Sequence, residues 1–121
     1  MKPVFAENAW VAVRDALQSG RKVVAILPCG ATEAHGPHLP LRTDVIISET
    51  MAARALPMLE QRGYAATILP ALAYMPAEYA QAFPGTVTVR AATAKALMID
   101  IATSLKAQGF ACLALANSHF D

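Results

Sequence analysis

The chain has 121 residues, 55% of them hydrophobic and 16% charged, with a formal net charge of +1. That length suits one domain or one piece of a domain, and so apolar a composition predicts that some hydrophobic surface meets another subunit or a further segment. Scattered Lys and Arg argue against a nucleic-acid partner, and no apolar run reaches the roughly 18 residues of a membrane span.

Residues 9–19 carry Trp10, Val13, Ala16 and Leu17 at helical spacing, with Asn8 as a candidate cap and Gly20 past the end. Residues 22–27 form a β-branched apolar run, a buried parallel strand that is expected to stop at Pro28 and Gly30. A loop rich in Gly, Pro and His follows over 29–43. Thr43 or Asp44 can cap the next helix, which carries Ile46, Ile47, Met51, Ala55 and Leu59 toward Gly63, with a kink or early stop at Pro57. A second strand is expected over 65–69, irregular chain over 70–84, and a short strand or extended connection over 86–89. Ala94, Leu97, Met98, Ile101, Ala102 and Leu105 make one helical stripe terminated by Gly109. Residues 110–116 read as another buried strand. Strands alternating with helices predict an α/β fold with a three-layer arrangement, a largely parallel sheet between flanking helices.

All three histidines fall in segments that each follow a predicted strand: Glu33-Ala34-His35-Gly36-Pro37-His38 and Ser118-His119-Phe120-Asp121. Loops past the carboxyl ends of parallel strands converge on one crevice. Residues two apart in extended chain share a side, so Glu33 pairs with His35 and His119 with Asp121, and Asp44 completes the set. Three carboxylates and two imidazoles suit Zn²⁺, Mn²⁺ or a related divalent ion, and five ligands exceed what one catalytic zinc takes. A carboxylate bridging two ions would let them polarise a carbonyl and lower the pKa of a shared water to about 7, so hydrolysis is the expected reaction class. Cys29 and Cys112 are too few for a disulfide framework or a thiolate site, and the absence of a secretion signal at the N-terminus agrees with a reducing cytoplasm.

The stretch Leu27-Pro28-Cys29-Gly30-Ala31-Thr32-Glu33-Ala34-His35-Gly36-Pro37-His38-Leu39-Pro40-Leu41-Arg42-Thr43-Asp44 resembles the signature of the creatininase (creatinine amidohydrolase) family. Phe83-Pro84-Gly85-Thr86 and Asn117-Ser118-His119-Phe120-Asp121 resemble two weaker marks of the same family, in the same order. The resemblance implies that Glu33, Asp44 and His119 hold one metal while His35, Asp44 and Asp121 hold the other, Asp44 bridging. It also implies a small amide or cyclic amide as substrate, substrate-contacting His and Trp in the later half of the family domain, and assembly into homo-oligomers, often hexamers; within this chain Phe83, Gly85, Thr86 and Phe120 are expected to border the substrate. Two departures stand out: family members often carry Glu at the position of Asp121, and the common Asn-Gly-His is Asn117-Ser118-His119 here. By this resemblance residues 1–121 are one creatininase-like domain, truncated on its C-terminal side.

Plainer readings stand beside these. His38 is expected to shape its loop and Cys29 to pack. Asp44 could serve only as a helix cap, Phe83 to Thr86 only as a turn, and His119 with Asp121 could fray at the chain end. Tyr74, Glu78 and Tyr79 read as surface. The functional alternative to a metal-dependent amide hydrolase is a truncated, non-catalytic remnant that oligomerises or binds a partner.

Overall fold

The computed structural model describes residues 1–120. Strand β1 (Val23–Cys29) is its axis, because a run of small and β-branched apolar side chains can be buried on both faces, and all seven residues are. Strands β2 (Ala65–Ile68) and β3 (Cys112–Asn117) flank it in the order β2-β1-β3, and both pairings are parallel.

Successive strand side chains point to opposite faces, and β1 uses both. Val23, Ala25, Leu27 and Cys29 join Leu105 and Phe110 in one core, against Val13, Ala16 and Leu17 of α1 (Trp10–Leu17) and Met98 and Ile101 of α3 (Ala91–Gln108). Val24 and Ile26 join Ala52 and Leu59 of α2 (Thr43–Gln61) in the other. The predicted three-layer α/β architecture is therefore present, with α2 on one face and α1 and α3 on the other. Gly109 ends α3 at φ +101°, its N–H returning to the carbonyls of Leu105 and Lys106, as its position predicted.

Several local features differ from the sequence reading. β1 continues through Pro28 to Cys29. In a parallel strand a residue's N–H and C=O face the same neighbour, and the Pro28 carbonyl accepts Leu72 N–H at 2.8 Å on the β2 side. The donor that proline lacks therefore faces the edge where β2 has already ended at Ile68, so no ladder bond is lost. Asn8 does not cap α1; its side chain ties Lys2, Val4 and Phe5 into an N-terminal turn. α2 runs past Pro57 to Gln61. Trp10 and Leu97 stand outside the core, Trp10 with the Arg14 guanidinium over its ring at 5.1 Å. Residues 86–89 take the second of their two expected forms, an extended connection with a single bridge between Val87 and Thr32.

β3 departs most. It was expected to be buried, yet no residue of Cys112–Asn117 is fully buried and Leu115 is 53% exposed. It is an edge strand, and Met51 and Met58 of α2 extend the uncovered apolar surface beside it. No helix among the described residues is long and apolar enough to cross a membrane. An apolar open edge is a template for association. The purified chain should accordingly self-associate, and Leu115→Lys should shift sedimentation toward smaller species; an unchanged distribution would show that β3 is not the sticky edge.

Candidate metal centre

The site is assembled where β1 and β3 end. After Cys29 the chain passes Gly30, which lies directly under the first turn of α2. A Cβ there would sit 2.8 Å from Asp44 Cβ and 2.8 Å from Val45 N, so only glycine allows the helix to come this close. The approach lets Ala31 N–H donate to Asp44 Oδ2 at 3.2 Å. Asp44 is not a cap; it lies inside the first turn, where the positive end of α2 favours a carboxylate. Thr43 is not one either, its hydroxyl donating to the Pro40 carbonyl.

The loop carrying Glu33 and His35 is fixed by Glu33 N–H donating to Leu41 O at 3.1 Å and by a bridge between His35 and Leu39. His38 sits exposed in the intervening turn. From the other side, β3 delivers His119. Asn117 Oδ1 accepts His119 N–H at 3.1 Å while its amide donates to His119 O at 3.0 Å, a local turn that aims the ring inward. Ser118 N–H donates to Cys29 O at 3.2 Å and its hydroxyl donates to Asp44 O, joining β3, β1 and α2.

Four side chains converge. His35 Nε2 lies 3.0 Å from Asp44 Oδ1 and 3.9 Å from Glu33 Oε1. His119 Nδ1 lies 2.9 Å from Asp44 Oδ2 and 3.1 Å from Glu33 Oε1. One ligand atom from each of Glu33, His35 and Asp44 falls within 4.8 Å of the others, a spacing that can hold an ion. His119 reaches the same two carboxylates but meets the other oxygen of Asp44. Glu33, Asp44 and His119 are buried, whereas the His35 side chain is 23% exposed and forms the solvent side of the cluster.

The chemistry of this donor set fits a divalent cation. Glu33 Oε2 is buried with no hydrogen-bond partner among the described residues, an arrangement that costs free energy until a positive group meets it. Each imidazole also has its far nitrogen held by a backbone carbonyl, His35 Nδ1 by Glu33 O at 3.2 Å and His119 Nε2 by Pro76 O. A carbonyl can only accept, so in the neutral rings those nitrogens carry the proton and the nitrogens facing the carboxylates present lone pairs. Burial by itself would pull the His119 pKa down, but the Pro76 carbonyl and the carboxylates of Asp44 and Glu33 outweigh it and hold it above the ordinary value.

The structure thus brings together Glu33, His35, Asp44 and His119; Asp121 lies outside the described residues. Phe83 and Phe120 are exposed, Gly85 turns at φ +94° against Leu41, and the Thr86 hydroxyl accepts Ala34 N–H at 3.0 Å. Tyr79 and Phe83, with Leu41 and Pro84, line an apolar cleft of about 430 Å³. A larger cleft of about 630 Å³ lies between the N-terminal turn and α1 and is lined by no potential metal ligand. The contributions of Pro76, Asn117 and Ser118 were not anticipated. An Asn two residues before a ligand was a readable turn signal; the Pro76 carbonyl, 43 residues from His119, had none.

Residues 6–121 match the Creatininase family model, described as creatinine amidohydrolase. A mycofactocin precursor peptide peptidase of Mycolicibacterium smegmatis is 38% identical over 85 residues, covering 67% of this chain and 33% of that protein. A creatinine amidohydrolase of Pseudomonas putida is 30% identical over 126 residues, covering 99% of this chain and 46% of that one. The solved manganese form of creatininase superposes with a TM-score of 0.85 at 26% identity, covering 98% of this chain and 46% of its own. The chain therefore spans between a third and about half of the length of the relatives it matches.

Two outcomes follow from the geometry. Gly30→Ala should cost about 1–3 kcal/mol in urea unfolding, because the added methyl must push Asp44 away; unchanged stability would mean that α2 is not held by this approach. In metal-free protein the raised pKa of His119 adds stability that is fully present below its unfolded value of about 6.5 and lost as pH rises through the folded one. The stability gap between wild type and His119→Gln should therefore narrow from acidic to alkaline pH, and a gap that widens would contradict the assignment.

Proposed function

The chain belongs to the creatininase family, and from that we propose that it carries the metal-binding part of a hydrolase that cleaves the carbon–nitrogen bond of an amide or cyclic amide. The observation that most supports this reading is Asp44, whose two oxygens face different imidazoles, beside a Glu33 oxygen that is buried and unpaired. A shared carboxylate of this kind suits two ions. We assign one to Glu33, Asp44 and His119, and the other to His35, Asp44 and Asp121. Bound there, a pair of divalent ions, zinc or manganese, supplies a water acidified to about neutral pH and an electrophile for the amide oxygen.

The chain's own residues hold and screen that chemistry. Burial of Glu33, Asp44 and His119 keeps bulk water from the inner ligands, and the partly exposed His35 marks the side from which substrate would enter. Phe83, Gly85, Thr86 and Phe120 are proposed to border the substrate, the two phenyl rings being available for contact. A small-molecule amide is the proposed substrate class, a second copy of the chain the proposed partner at its exposed apolar surface, and the cytoplasm the proposed compartment for two free thiols, Cys29 and Cys112. The alternative of a non-catalytic module draws support from the open edge of β3, but it gives no reason to bury two carboxylates between histidines.

Elemental analysis of the chain purified without chelator tests the reading. Bound zinc or manganese is expected, and Asp44→Ala should lose both ions together, because they share that residue. Full retention in Asp44→Ala would overturn the bridging assignment, and a wild-type chain without any divalent metal would overturn the hydrolase reading.

A further inference from the structure

The segment after Phe83-Pro84 runs antiparallel to the loop of Glu33 and His35, and the two join through Val87 N–H donating to Thr32 O at 2.9 Å. In a continuing ladder the next donor along the loop, Ala34 N–H, would meet a backbone carbonyl. It does not, because Gly85 stands at φ +94° and turns the chain away against Leu41. The Thr86 hydroxyl takes the missing carbonyl's place, accepting Ala34 N–H at 3.0 Å.

Ala34 N–H belongs to the same rigid peptide unit as Glu33 C=O, and that carbonyl lies 3.2 Å from His35 Nδ1. One plane therefore carries both bonds: Thr86 Oγ1 holds its N–H, and its C=O holds the ring of His35. Rotation of the plane would swing the His35 imidazole and redirect the Glu33 side chain that precedes it. Hydrogen bonds in such a chain polarise one another in the same direction, so the link at Thr86 also strengthens the link at His35. Resting on the metal-centre reading above, we infer that Thr86 is a positioning residue: its hydroxyl locks the Glu33–Ala34 peptide and through it the tautomer and direction of His35 as a ligand.

The test is titration of the full 121-residue chain with zinc by calorimetry, and with cobalt(II) by its visible absorption, for wild type, Thr86→Val and Thr86→Ser. Valine keeps the shape and removes the acceptor, so affinity should fall about 10-fold or more and the cobalt spectrum should change, while serine should restore both. Melting midpoints in chelator check that the variants are folded; if valine prevents folding, Thr86→Ala compared with Thr86→Ser makes the same measurement. Equal affinity and spectrum in a folded Thr86→Val would overturn the inference and leave Thr86 as a wall residue. A wild-type chain that binds neither ion would instead overturn the metal reading underneath, and the role of Thr86 with it.

Discussion

Two carboxylates, Glu33 and Asp44, lie out of water within reach of each other, and everything at the carboxyl ends of β1 and β3 answers to that burial. Removing an ionised carboxylate from water costs several kcal/mol unless charge and hydrogen bonds replace the lost solvent. Asp44 is compensated in part by Ala31 N–H and by the first turn of α2. Glu33 is compensated less, with Oε2 unpaired. A buried carboxylate oxygen without a partner, set beside two imidazole nitrogens, is the physical reason to read the cluster as a cation site and not as a structural ion pair.

A cation site needs its side chains fixed before an ion arrives, and the structure fixes these through backbone groups. Pro76 O and the Asn117 turn hold His119, Glu33 O holds His35 and Ala31 N–H holds Asp44, and none of these depends on a flexible charged side chain. Gly30 and Ser118 then set the distances between elements, one by being small and the other by bonding β3 to α2. The Ser118 hydroxyl gives β3 a direct tie to the residue that both imidazoles share.

Much of this was legible in the chain. β1 announced itself by continuous apolar residues, Gly109 by its place past a helical stripe, and the clustered carboxylates and imidazoles by sitting just beyond strands. What was not legible depends on partners remote in sequence. Pro28 looked like a strand end because proline is normally excluded from sheet centres, but the unused donor faces the side where β2 has already left. Asn8 looked like a cap because it precedes a helix, yet its Oδ1 is taken by Lys2 N–H at 2.6 Å while its amide donates to the carbonyls of Lys2, Val4 and Phe5. Leu97 fell into the apolar stripe by spacing, although only a narrower face of α3, with Ala94 and Leu105 fully buried, meets the sheet. β3 was read as buried from composition, which reports what a strand is suited to contact and not what covers it.

The exposed strand and the buried site are one problem. His119 leaves β3 two residues after its last paired position, so the least covered strand supplies a buried ligand. An ion held by His119 together with Glu33 and Asp44 would tie the end of β3 to the β1 loop and to α2. Part of its binding free energy would then stabilise the docking of β3 onto β1. Linkage is reciprocal, so a second copy that gains affinity for the free edge of β3 from bound metal would raise metal affinity by the same factor. A coupling between the covering of this apolar edge and the filling of the buried pocket would run through His119.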